Sequence, residues 1–79
     1  MKIKVYSTPQ CPWCDKAKQY FKDKGLEFEE IDVSADPDAA KEMIEKSGQM
    51  GVPVIEIDGE LVIGFNRPKI EEILKKLNE

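Results

Sequence analysis

Two cysteines, Cys11 and Cys14, stand three residues apart with Pro12 and Trp13 between them, and the chain has no histidine. At random, two cysteines in a chain this long fall at that spacing in about one arrangement in forty, so spacing alone only suggests a joint role. The surroundings say more. Ile3 and Val5 alternate with Lys4 and Tyr6 as in a strand, Thr8-Pro9-Gln10 reads as a loop, and Pro12 suits the first turn of a helix. Cys11 is thus expected at a helix N-terminus, where unpaired backbone N–H groups and the helix dipole stabilise a thiolate. Such a site lowers a thiol pKa from ~8.5 into a range of ~3.5–7.5 and makes the sulfur a usable nucleophile. Cys11 can then attack a disulfide, and Cys14, one turn deeper, can resolve the mixed disulfide. Pro12 fixes its own φ and stiffens the turn, while Trp13 is placed to pack over the site or cover a substrate. The rival use of two thiols is half of a metal site shared between chains. Two thiolates half fill a tetrahedral shell and no histidine completes it, so no metal ligand is assigned.

The elements that must hold this pair follow from periodicity and punctuation. Ile3 to Ser7 is a first strand. A first helix runs from Cys11 or Pro12, with Trp13, Ala17, Tyr20 and Phe21 at helical spacing, to a stop at Gly25. Residues 26–33, with Phe28, Ile31 and Val33, read as a second strand. Asp36 caps a second helix with Pro37 in its first position; Met43 and Ile44 are its core stripe, and Gly48 ends it. Residues 54–57 form a third strand, Asp58-Gly59 a two-residue hairpin turn, and residues 61–63 the antiparallel partner. Asn66 caps a last helix, with Pro68 in its first turn and Ile70, Ile73, Leu74 and Leu77 on one face. The order β-α-β-α-β-β-α implies an α/β fold. Its first two strands are parallel through a right-handed crossover, and the sheet is a mixed four-stranded one.

With 79 residues and 41% hydrophobic side chains, the chain is expected to be a single domain over 1–79 and a monomer. Its 12 basic and 16 acidic residues give a net charge of −4, which points away from nucleic acid. No apolar run suggests a membrane span or leader, so a cytoplasmic location is expected, where a close cysteine pair is reactive or metal-binding rather than structural. Lys16, Lys18, Lys22 and Lys24 read as the solvated face of the first helix, and Lys16 or Lys18 could add slightly to thiolate stabilisation. Asp36, Asp38, Glu42 and Glu45 read as surface charge.

The run Val5 to Cys14, followed by Ala17-Lys18, resembles a glutaredoxin. Gly51-Val52-Pro53 resembles the family's second motif, usually Thr-Val-Pro, and Gly64-Phe65 falls where the family usually carries Gly-Gly. The resemblance implies a thioredoxin-like fold, a redox-active Cys11–Cys14 disulfide with no bound cofactor, and a cis Val52–Pro53 bond. It also implies a substrate-contacting surface of Pro12, Trp13, Val52, Pro53, Gly64, Phe65 and Asn66. The departures carry information. Thr8 replaces the Lys or Arg that commonly precedes the first cysteine by three residues and holds glutathione. Gly51, Phe65, Asn66 and Arg67 change further positions of that kind. A Gly-Phe pair near Arg-Pro is similar to glutaredoxin-like redoxins that serve ribonucleotide reductase and are recharged by thioredoxin reductase, although Pro12 is unusual for them. The function implied is that of a dithiol carrier reducing protein disulfides, with ribonucleotide reductase as a candidate target. Thioredoxin reductase or glutathione is the external reductant. The alternatives are a glutathione-dependent deglutathionylating glutaredoxin and, in another class, an iron–sulfur or metal carrier.

Overall fold

A computed structural model describes residues 2–77. The elements are β1 (Ile3–Ser7), α1 (Pro12–Asp23), β2 (Glu29–Asp32), α2 (Pro37–Ser47), β3 (Val54–Ile57), β4 (Glu60–Ile63) and α3 (Arg67–Leu77). The sheet has the order β2-β1-β3-β4. β1 runs parallel to β2 and antiparallel to β3, and β3 is antiparallel to β4. The mixed four-stranded sheet and the α/β order are those expected. Asp58 and Gly59 both adopt positive φ, 48° and 88°, the requirement of the tight primed turn that joins β3 to β4.

Alternation along the strands divides the core into two layers. Ile3, Val5, Ile55, Ile57 and Val62 face α1 and α3, where they meet Ala17, Phe21, Ile70, Ile73 and Leu74. Tyr6 and Val54 face the opposite side and meet Met43 of α2. β1 is therefore covered on both faces. Its C-terminal end, from which the cysteine loop departs, is anchored from both sides. The Tyr6 hydroxyl, at the end of a buried ring, donates to Glu42 at 3.1 Å. Lys46 bridges Glu42 and Glu56 at 2.9 and 3.2 Å, which ties α2 to β3. Hydrogen bonds from Lys46 and then from Tyr6 hold the Glu42 carboxyl below its usual range, while burial pushes the Tyr6 phenol up.

Two expectations need correction. The second strand is shorter than residues 26–33, because the chain after α1 is still engaged with the helix. Gly25 takes a φ of 70°, its N–H donates to the Lys22 carbonyl, and the Leu26 N–H donates back to the Phe21 carbonyl. This is a Schellman closure. It leaves Leu26 and Phe28 packing against the core from a loop. On α2, only Met43 is buried and Ile44 is exposed. One apolar stripe against so narrow a sheet accommodates a single residue per turn, so the neighbour one step around the helix faces solvent.

Candidate active site

Cys11 is the N-cap of α1, with extended backbone angles, and Pro12 opens the helix. Its Sγ accepts a hydrogen bond from the backbone N–H of Cys14 at 3.1 Å. This is the arrangement expected of a sulfur at a helix N-terminus: an otherwise unpaired amide points at it and would stabilise negative charge there. The two cysteines are joined in a disulfide, their Cα atoms 5.2 Å apart. Cys11 keeps 8% of its surface accessible and Cys14 none. Cys14 belongs to the buried stripe of α1 with Ala17 and Phe21. A helix that buries this stripe turns Pro12 and Trp13 outward, and Trp13 is 56% exposed. Helical spacing from Trp13 to Ala17 therefore misplaces Trp13 on the core face; the stripe begins at Cys14.

The second and third motifs come to the same end of the sheet. The Val52–Pro53 bond is cis, as the resemblance implies. Pro53 is buried and Val52 half-buried. The Gly64 N–H donates to the Pro53 carbonyl at 2.8 Å, joining the two motifs directly. Gly64 has a φ of 75°, a conformation that glycine takes without penalty. It turns the chain so that Phe65 lies beside Trp13, ring centroids 6.5 Å apart. Phe65 also packs edge-on to Tyr20 at 5.7 Å. Cys11, Pro12, Trp13, Val52, Pro53, Gly64 and Phe65 thus form one contiguous neighbourhood, linked by helix α1, the Pro53–Gly64 hydrogen bond and the Trp13–Phe65 contact. Asn66 stands at its edge, and its Oδ1 accepts the Lys69 N–H at 3.3 Å as the cap of α3.

Sequence reasoning passes over Gln49 and Ser47. The Ser47 hydroxyl donates to the Met43 carbonyl and accepts the Gln49 N–H, while the Gln49 carboxamide donates to the Gly51 carbonyl at 3.0 Å. This relay holds the loop that leads into Pro53. A Cβ at position 51 would meet Gln49 Oε1 at 2.9 Å. The glycine and the glutamine are matched, and a threonine here would require the Gln49 side chain to move. The signal in the sequence is the Gly51 departure itself.

Among the lysines of α1, Lys18 is held by Asp15 and Glu30 at 3.4 and 2.8 Å. The Glu30 hydrogen bond leads the upward shift of its pKa, so its charge is spent on carboxylates and not on the sulfur. Lys16 instead lies over the Trp13 ring, 4.4 Å from its centroid. Among the described residues no group of three or more His, Cys, Asp or Glu side chains is gathered as a metal shell. No helix among them is long and apolar enough to cross a membrane.

Fold and site together define a thioredoxin-like protein in which a Cys-x-x-Cys disulfide sits where a central strand hands over to a helix. The sequence profile of the glutaredoxin family matches residues 3–62, and the chain belongs to that family. An uncharacterized glutaredoxin-like 8.6 kDa protein in the rubredoxin operon of Clostridium pasteurianum is 47% identical over 74 residues, 94% of this chain and 99% of its own length. The crystal structure of a thioredoxin-like protein superposes with a TM-score of 0.85 at 35% identity, covering 91% of this chain and 99% of that one. The Escherichia coli NrdH-redoxin is described as a glutaredoxin-like protein with a thioredoxin-like activity profile. It superposes with a TM-score of 0.80 at 27% identity, over 92% of this chain and 95% of its own. The chain is thus a thiol–disulfide redox protein of this family.

Proposed function

We propose that this chain is a dithiol electron carrier that reduces protein disulfides, with Cys11 as the attacking and Cys14 as the resolving thiol. The observation that carries the assignment is the Cys14 N–H aimed at Cys11 Sγ while Cys14 itself is fully buried. In the reduced protein the Cys11 thiolate attacks one sulfur of the target disulfide. That S–S bond breaks, a mixed disulfide forms, and the departing target sulfur takes up a proton. Cys14 then loses its proton and attacks Cys11 Sγ. The mixed disulfide breaks, the second target thiol is released, and the Cys11–Cys14 bond closes. Two electrons and two protons have passed to the target. Trp13, Val52 and Phe65 supply the surface on which a polypeptide rests, and the backbone of Val52 offers strand-like pairing to an extended segment. Ribonucleotide reductase is a candidate target, and a monomer in a reducing cytoplasm is the working form.

The reductant in this proposal is a flavin-containing thioredoxin reductase, not glutathione. Thr8, Gly51, Phe65 and Arg67 each replace a residue type that glutathione-using family members employ. Loss of one charged hydrogen bond, as where Thr8 stands for Lys or Arg, costs about 1.5–3 kcal/mol, one to two decades in affinity. The thioredoxin-like activity profile given for the similar NrdH-redoxin supports this choice. The test is a pair of turnover assays at matched reductant potential. Efficient turnover is expected with the reductase and slow, non-saturating turnover with glutathione. Saturable turnover with glutathione at cellular concentration and none with the reductase would restore an ordinary glutaredoxin.

A further inference from the structure

A groove of about 450 Å³ runs along α1 to the start of α3, next to the redox turn. Its floor is aromatic: Tyr20 and Phe65 pack edge-on at 5.7 Å, and Phe65 continues to Trp13. Its rim is cationic. Lys16, Lys24 and Arg67 line it against a single carboxylate, Asp23. This reverses the balance of the whole chain, where acids outnumber bases 16 to 12.

The way these cations are held sets them apart. Lys18 and Lys46 are each locked between two carboxylates. Lys16 and Lys24 make no ion pair among the described residues; they rest over rings, Lys16 over Trp13 at 4.4 Å and Lys24 over Tyr20 at 5.1 Å. Arg67 also lies over the Tyr20 ring, 5.3 Å from its centroid, with only a long contact of 3.6 Å to Glu71. Asp23 is occupied by the Gln19 amide at 2.8 Å. A cation over a ring keeps most of its charge available, since the ring contributes only a weak attraction at an exposed site. Residues 16 and 20 of α1 and its C-cap Lys24 follow at spacing four, which places them along one side of the groove.

Resting on the dithiol reading above, we infer that this groove is a docking site for the polypeptide that carries the target disulfide. It selects a segment in which an aromatic or large apolar side chain is flanked by Asp or Glu. The apolar side chain lies on Tyr20 and Phe65, its carboxylates reach Lys16, Lys24 and Arg67, and the adjoining disulfide is delivered across Trp13 to Cys11. Charge complementarity at the rim of such a surface acts mainly on the rate of encounter and on its salt dependence.

The test uses the full chain, reduced beforehand, and three neutral-core substrates. Two are disulfide peptides of identical sequence except that the phenylalanine beside the disulfide is flanked by glutamates in one and lysines in the other. The third is hydroxyethyl disulfide, small and uncharged. Oxidation rates are read by acid quench, separation from the small substrate, and counting of the thiols left on the protein. The acidic peptide is expected to react about tenfold faster than the basic one at low ionic strength, the ratio collapsing towards one at about 0.5 M salt as the charges are screened. Lys24→Glu should erase or invert the preference, Lys24→Arg should keep it, and both should leave the rate with hydroxyethyl disulfide as it is. Equal rates for the two peptides, or a preference that survives Lys24→Glu, would overturn the docking inference alone. No reaction with any of the three would overturn the dithiol reading on which it rests. Concentration-dependent dimerisation that Lys24→Glu abolishes would place a second copy of this chain in the groove and overturn the assignment to a partner.

Discussion

Cys11 serves two purposes with one sulfur in the proposed cycle: it ends the loop after β1 as a helix cap, and it is the atom that would be presented to a partner. A serine would cap as well, because its hydroxyl also accepts an amide hydrogen bond, so the fold tolerates the change that the chemistry does not. Cys11→Ser is accordingly expected to keep the fold and abolish disulfide reduction. Cys14→Ser should leave a partner trapped on Cys11 as a mixed disulfide, visible as a mass adduct that dithiothreitol releases. Alkylation of the reduced protein at mildly acidic pH should mark Cys11 first; marking of Cys14 first would reverse the assignment. The pair and the helix terminus beneath it are legible from Cys11, Pro12 and the preceding strand. The destiny of single polar side chains is not. Asn66 reads equally as a cap and as a substrate contact, and only the position of the Lys69 amide shows the first use. Lys18 and Lys16 look alike in the sequence, yet one meets two carboxylates and the other a tryptophan ring.

At the scale of elements, helix starts are readable because they are written locally. Cys11-Pro12 and Asp36-Pro37 each pair an acceptor at the cap with proline in the first turn. The second strand is shorter than its pattern suggests because Leu26 and Phe28 are apolar for a tertiary reason. They pack beneath α1 while the backbone is still closing the helix. Gly25 makes that closure possible, and its surroundings are open, with no atom within 4 Å of an added Cβ. The cost of replacing it is therefore conformational. Gly25→Ala forces an L side chain to a φ of 70° and should destabilise the protein by about 1 kcal/mol, read as a lower urea midpoint at unchanged slope. A neutral result would show that the closure relaxes into another turn at no cost. Gly51 differs: its φ is not in the left-handed region and its limit is the Gln49 carboxamide.

For the whole molecule, the strand order β2-β1-β3-β4 brings three stretches distant in sequence, residues 11–14, 52–53 and 64–65, to one end of the sheet. Periodicity gives the elements and the hairpin, and a parallel first pair follows from the crossover. That β3 lies beside β1, antiparallel to it, is a long-range choice that no local pattern spells out. The convergence of the motifs depends on it. So does the aromatic sequence from Trp13 through Phe65 and Tyr20 to Phe21 and Phe28, with neighbouring centroids 5.6 to 6.5 Å apart. Trp13 is the only tryptophan in the chain, and it sits between the two sulfurs in sequence and in space beside Phe65 and Lys16, two residues that line the groove. Disulfides quench indole emission on contact. The protein accordingly carries its own optical gauge: fluorescence excited at the indole band should brighten when the Cys11–Cys14 bond is opened and shift to the blue when a partner covers the half-exposed ring. One intrinsic chromophore would then follow electron transfer and docking as separate signals, in intensity and in wavelength, without a label. An emission spectrum indifferent to the oxidation state would mean that the ring stands clear of the sulfurs in solution.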